Sequence, residues 1–414
     1  MSVGTSNPFF AEPYALKRWK RGPLGSYLDG FARRLDECGY SPPTGGNYVR
    51  CVGHLSLWLA EKGFEAHQLD ERKICDHLQA LKNRRGVVVS GAPHRLLLSY
   101  LREIGVIPRP APRAASKIDH IVGGYIEHLR HVRGLAESTL VHRRLFARRF
   151  LEERFRDEPI RLSRLTAQDV IRHIQGHTGE YGVLYRSGIV MVLRDFYRFL
   201  HLAGHVREDI AAGIPMCPHW KAPARPEHLE RSELERLLET CVRTTPKDLR
   251  DYAILVLLVR LGVRAGEVRN LTLDDIDWEA GRITVCGKGG KCRQLPLLHE
   301  VGQALVAYLK EGRPPSRSRH VFIRMRAPLT GLSCTGGIYK IVSRALRRAG
   351  LSPSRWGPHL LRHSFATYLR GQGTSLSDVG RMLGHDDVNS ALVYAHVAPN
   401  ELRSVVQPWP GGVS

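Results

Sequence analysis

The residues best equipped for chemistry lie between Gly357 and Val397, in GPHLLRHSFATYLRGQGTSLSDVGRMLGHDDVNSALVYAHV. His359 and Arg362 are three apart, so on a helix they share one face. His385 follows in a tight Leu383-Gly384-His385 turn, and Tyr394 stands nine residues later. Two imidazoles, a guanidinium and a phenol can neutralise a phosphate, move a proton and supply a nucleophile. Taken singly, each has a plainer reading: a Tyr is commonly a half-buried packing residue, a His an ordinary polar contact. The chemistry therefore needs partners from elsewhere in the chain.

Three earlier segments can position such partners. DLRDYAILVLLVRLG (248–262) reads as a buried helix stopped by Gly262, and the turn Val263-Arg264-Ala265-Gly266-Glu267 follows it. In GRITVCGKGGKCRQLPL (281–297) the apolar period changes to that of strands, which predicts a β-hairpin with Lys288 at its turn and Lys291 and Arg293 beyond. HVFIR (320–324) reads as a third short strand, and TGGIYKIVSRALRRAG (335–350) as a basic amphipathic helix. Ahead of these, Arg231 to Thr240 predicts a helix with Ser232 and Glu235 as a capping box.

Lys and Arg number 62 against 40 Asp and Glu, a formal charge of +22 over 414 residues, which points to a polyanionic partner, nucleic acid before membrane. The 43% apolar content excludes a disordered polycation. The eight cysteines form no CxxC pair and read as reduced thiols of a cytosolic protein. The start, MSVGTSNPFFAEPYALKRWKRG, has no signal-peptide pattern, and the longest apolar run, Ala253 to Val259, is too short to span a bilayer. The expectation is a soluble cytoplasmic protein with no membrane partner.

The first half of the chain reads as two four-helix units of similar pattern. Tyr27-Leu28 matches Tyr125-Ile126, and Gly39 before Thr44 matches Gly134 before Thr139. Leu69, Ile74, His77 and Leu78 keep the spacing of Leu165, Val170, His173 and Ile174, and YLREIGVI (100–107) parallels FLHLAGHV (199–206). Pro-rich stretches at 109–116 and 215–228 read as linkers, giving units at 1–108 and 117–214 and a third domain at 229–398, with a tail at 399–414. The second unit concentrates Arg133, Arg143, Arg144, Arg148 and Arg149, which beside the net charge suggests phosphate-backbone contacts.

With LGVRAGEV, GKGGKCRQLPL, HLLRH, LGH and the Tyr of ALVYAHV in order, the chain resembles the tyrosine recombinases, the phage-integrase and Xer-type enzymes. The resemblance covers roughly residues 226 to 400 as catalytic domain and 117–206 as helical core-binding domain. The unit at 20–108 is an addition to the short members, and Cys292 stands where the hairpin often carries an acid. It implies a mainly α fold with a small antiparallel sheet, its domains clamped around DNA. It also implies the active-site set Arg264, Lys288, His359, Arg362, His385 and Tyr394. Tyr394 would form a 3′-phosphotyrosyl intermediate, and strand exchange would need neither cofactor, ATP nor metal. The two arginines suit phosphate oxygens physically, since each presents a planar fork. His359 or His385 would take the phenol proton, and Lys288 would protonate the leaving 5′ oxygen.

Implied partners are double-stranded DNA with paired recombination sites and copies of the chain. The copies would form a homotetramer in the synapse and a monomer or dimer off DNA, with related recombinase subunits as further candidates. The setting would be bacterial and nucleoid-associated, with integration, excision or transposition of a mobile element as the task. Three alternatives compete: a zinc hydrolase built on His359 and His363, a catalytically silent DNA-binding protein of this fold, and type IB topoisomerase-like relaxation. The first lacks a Glu after its first His, where Leu360 stands.

Overall fold

The computed structural model describes residue 9 and residues 17–85, 90–109, 115–135, 137–156, 158–177, 183–215, 227–287 and 290–384. Two compact units emerge, one formed by Met1–Arg109 with Pro223–Ser414, the other by Pro110–Ala222. Helices dominate both, and among the described residues there is one three-stranded antiparallel sheet. No described helix is long and apolar enough to cross a membrane.

The first unit begins with four helices, α1 (Leu28–Glu37), α2 (Pro42–Glu61), α3 (Glu71–Arg85) and α4 (Ala92–Glu103). Pro42 opens α2, where its missing N–H is no loss, and Asp70 caps α3 by accepting from the Lys73 N–H at 2.8 Å. Phe31, Leu35, Leu55, Leu59, Leu97 and Leu101 fill the interior. This block touches the C-terminal part of its unit, where the Leu329 N–H donates to the Cys38 carbonyl at 2.9 Å. Gly39, at φ 75°, lies so close to the Leu329 side chain that a Cβ there would meet it at 2.3 Å.

The C-terminal part is built around α10 (Pro246–Leu261), whose residues from Tyr252 to Val259 are all buried. Such a helix has no solvent face, and neighbours surround it: α9 (Arg231–Glu239), α12 (His299–Ala307), α13 (Gly336–Arg348) and α14 (Pro358–Gly371). Gly262 ends α10 at φ 59°, as its sequence predicts. The α9 cap is Glu230 rather than Ser232, because Glu233 reaches back to the Glu230 N–H at 2.9 Å while Glu235 pairs with Arg260.

After α11 (Ala265–Asn270) come β1 (Ile276–Asp277), β2 (Arg282–Cys286) and β3 (Cys292–Pro296), in that order across the sheet. Ile283 faces Leu295 across the hairpin, and both are buried. The third strand is thus β1, and 320–324 makes only isolated bridges. Its carbonyls are engaged elsewhere: those of His320 and Val321 accept from Arg313, and that of Ile323 from Arg250. The same register sets Cys286 opposite Cys292, and the two are joined by a disulfide, which corrects the expectation of reduced thiols throughout. The helix α15 (Leu376–Leu383) ends at Gly384, φ 63°, the last of the described residues.

The second unit holds α5 (Lys117–Arg133), α6 (Glu137–Arg154), α7 (Ala167–Gly176) and α8 (Val183–Leu202). Ser116 caps α5, accepting from the Asp119 N–H at 3.1 Å, and Gly134 ends it at φ 56°. Thr139 lies inside the first turn of α6, which starts two residues earlier. Tyr125, Phe150, Phe196 and Tyr197 are the large side chains of its core.

Candidate active site

Of the six residues implied as catalytic, Arg264, His359 and Arg362 are described, whereas Lys288, His385 and Tyr394 lie outside the described residues. Arg264 is the residue before α11, and Glu267 in that helix's first turn accepts from the Arg264 backbone N–H at 2.8 Å. The Arg264 guanidinium also donates to Glu267 Oε1 at 3.1 Å and to the Gly384 carbonyl at 2.8 Å. Arg362, buried on α14, donates to the carbonyls of Gly262 at 2.8 Å and Leu383 at 2.5 Å. Those carbonyls are the open C-terminal ends of α10 and α15, where the helix dipole favours a cation. Two arginines 98 positions apart in the sequence thereby fix the turn that precedes His385.

Glu267 is the hub of this site. Its side chain is 1% exposed and also receives Arg293 in a fork, Nη1 at 2.8 Å and Nη2 at 2.9 Å. Burial alone would raise its pKa, but the hydrogen bonds from Arg293 and Arg264 and the charges of Arg293 and Arg362 outweigh it and hold the carboxyl below its ordinary value. One carboxylate among three guanidiniums leaves two net positive charges at the base of the site. Arg293, expected on DNA, is committed inward, since its Nε also donates to the Met382 carbonyl at 2.9 Å. Lys291 is exposed beside the hairpin turn.

His359 is exposed at the start of α14. Surrounding protein, then the charges of Arg362 and Arg264, hold its pKa below the usual value, so at neutral pH it is a proton acceptor. His363, one turn on, is lowered to about 4 by burial and by His359, Arg355 and Arg362. Among the described residues, no further donor joins this histidine pair within metal-ligand reach. The zinc-hydrolase reading therefore lacks its site there.

The arginines of the second unit divide by their partners. Arg143 is buried and donates to the Tyr125 hydroxyl at 3.3 Å and to Asp195, so it belongs to the core rather than to a phosphate-facing surface. Arg133 joins Asp195 at 2.8 Å. Arg148 pairs with Glu152 at 2.7 Å and Asp119 at 2.9 Å, and Arg149 with Glu153 at 2.7 Å. Repulsion between Arg144 and Arg148 is thus relieved by carboxylates of the same unit. Arg144 is exposed and has no ion pair with a described residue. Sequence order located this basic run but not its acidic partners, which come from other turns and other helices.

The phage integrase family profile matches residues 227–401. The Sinorhizobium fredii protein y4rA, an integrase/recombinase by name, is 35% identical over 409 residues, 97% of this chain and 98% of its own. Tyrosine recombinase XerD of Mycobacterium tuberculosis is 31% identical over 306 residues, 70% of this chain and 95% of its own. Among solved structures, the XerH site-specific recombinase in its post-cleavage complex with palindromic difH matches at a TM-score of 0.53 and 20% identity, over 72% of this chain and 98% of that one. The chain belongs to the phage integrase family of tyrosine recombinases, site-specific enzymes that cleave and rejoin DNA.

Proposed function

We propose that Tyr394 is the nucleophile and that Arg264, Arg362, Lys288, His359 and His385 complete the active site, in a recombinase serving integration, excision or transposition of a mobile element. The convergence of Arg264 and Arg362 on the Leu383-Gly384 turn carries this reading, because that turn leads directly to His385. Attack on a phosphodiester adds negative charge to its non-bridging oxygens, and two guanidiniums with an imidazole compensate it where it develops. His359, neutral at pH 7, accepts the Tyr394 proton, since a phenol of pKa about 10 does not ionise unaided. Lys288 protonates the departing 5′ oxygen. The guanidiniums supply the charge compensation that a metal brings elsewhere, so cleavage should persist in EDTA.

A suicide substrate nicked near the cleavage site tests the assignment. Wild type should accumulate a covalent protein–DNA adduct, and Tyr394→Phe should bind the same DNA and trap none. An adduct formed by the Phe variant would move the nucleophile elsewhere. Arg264→Lys should also lower the trapping rate, because an ammonium cannot reproduce the fork.

The assembly we propose is a homotetramer on paired sites in the bacterial cytoplasm, at the nucleoid. A cavity of about 470 Å³, with Leu234, Val259, Leu261, Phe365, Leu369 and Met382 among its lining, offers an apolar floor for such a segment, and we propose that the tail of a neighbouring subunit occupies it. Leu402, Val405 and Val406 have the apolar character to fill it. Truncation after Val397 should spare single-site binding and weaken cooperative assembly. Unchanged synapsis by the truncated protein would remove the tail from this role.

A further inference from the structure

We infer that Glu153, His173 and His177 form a site for a divalent transition-metal ion of the zinc type, at the ends of α6 and α7. Glu153 Oε2 lies 2.8 Å from His173 Nδ1 and 3.0 Å from His177 Nε2. All three ligand atoms stand within 4.8 Å of one another. Ligands about 2.0–2.2 Å from a tetrahedral zinc stand roughly 3.3 Å apart, so one ion replaces the shared protons with small shifts. The two histidines are four residues apart and bring their rings to one face, centroids 5.0 Å apart. Two imidazoles and a carboxylate suit zinc, cobalt, nickel and copper rather than magnesium or calcium.

The surroundings fit a metal centre. Arg149 Nε donates to Glu153 Oε1 at 2.7 Å, which orients the carboxylate and leaves Oε2 to the histidines. Burial works to raise the Glu153 pKa, but hydrogen bonds from His177 and Arg149 and the charges of both histidines bring it to about 2. Burial lowers His173 more than Glu153 raises it. The Phe150 ring walls one side, edge-on to His173 at 5.5 Å. A cleft of about 190 Å³ lined by Glu153, Asp169 and His173 among others offers an entry path and room for water at the remaining coordination position. In the first four-helix block the positions of matching spacing are Trp58, His77 and Leu81, which offer one ligand. The ion would tie two helix ends in the second unit and contribute stability.

The test uses the full-length protein, stripped with EDTA and then dialysed free of it. Cobalt titration should give visible d–d bands saturating at one equivalent, and zinc should raise the unfolding temperature by several degrees. Both effects should vanish in His177→Gln, a half-buried position just past the helix, with the far-ultraviolet spectrum unchanged. Should that variant fail to fold, Glu153→Gln and zinc X-ray absorption of the wild type decide instead. Two imidazoles with only nitrogen and oxygen ligands support the site. Sulfur scattering, metal effects retained in either variant, or no metal-dependent change in the wild type would overturn it.

Discussion

In the first four-helix block the chain leaves α4 through Gly105, and Val106 and Ile107 both donate to the Leu101 carbonyl, at 2.9 and 3.4 Å. In the second it leaves α8 through Gly204, and His205 and Val206 do the same to Leu200, at 2.9 and 3.4 Å. Each block also enters its third helix through a single 3-10 turn, Ala66–Gln68 or Leu162–Arg164, followed by a buried leucine. The turns agree, but the interiors diverge. Trp58 packs on His77 at 5.3 Å and His77 on His94 at 5.6 Å, and among the described residues neither imidazole has a hydrogen-bond partner. The second block instead holds the Arg143–Asp195–Tyr125 group and the Glu153–His173–His177 group. Backbone geometry tolerates a change from aromatic to ionic interior so long as the glycines and buried leucines stay in place.

The largest effect that would sharpen this contrast is expected at Arg143. Replacing it with Ala removes the buried partner of Asp195, which should cost about 3 kcal/mol in urea unfolding, at the low end for a broken buried pair because Arg133 remains on Asp195 and the Tyr125 hydroxyl keeps the Val192 carbonyl. Tyr48→Ala, at the matching position of the first block, loses only half-buried packing on Tyr40 and should cost less. Equal losses would erase the distinction between an ionic and an aromatic interior.

These two interiors were unequally legible in the sequence. The apolar spacing and the glycines predict both sets of four helices, because periodicity and positive φ are local properties. The partners of Arg143 and His173 are 52 and 20 positions away, on other helices, and no local pattern points to them. The His173-His177 spacing was the available signal, but such spacing on an amphipathic helix is common. At the active site the same rule holds. Motif order supplies Arg264, His359 and Arg362, whereas the inward commitment of Arg293 depends on a fold that brings β3 against α11 and α15. The Cys286–Cys292 bond was likewise hidden, since hairpin register rather than residue spacing set the two opposite each other.

A smaller effect separates the blocks by pH. His77 and His94 both sit near pKa 4, His77 through burial and then the charges of His94 and His54, His94 through burial. The ordinary value is about 6.5, so below it the unfolded chain takes up protons that the folded block refuses. Their stabilising contribution is therefore present above pH 6.5 and lost as pH falls towards 4, by at most on the order of 3 kcal/mol per histidine. His77→Phe keeps an aromatic ring against Trp58 and should flatten that decline in unfolding experiments between pH 7 and 4.5. If the decline persists unchanged in the Phe variant, the acid sensitivity belongs to other groups, His363 among them.

The smallest expected effect concerns which block meets DNA. Each phosphate neutralised by a cation releases counterions, so log K against log salt changes by about 0.9 for each contact. In the second block Arg148 and Arg149 already face Glu152, Asp119 and Glu153, and DNA would have to displace those carboxylates to use them. Arg144, exposed on the same helix, has no ion pair with a described residue to displace. Arg144→Ala should therefore lower the slope by about one, with a uniform loss of affinity across sequences. Arg148→Ala should change it less, and Arg33→Ala, an exposed cation of the first block, should leave it unaltered if DNA binds the second block alone. Binding titrations across a salt series, with the wild type in parallel, separate these outcomes. A drop for Arg33→Ala equal to that for Arg144→Ala would mean that both blocks grip the duplex, and the division of labour inferred from their ion pairs would fail.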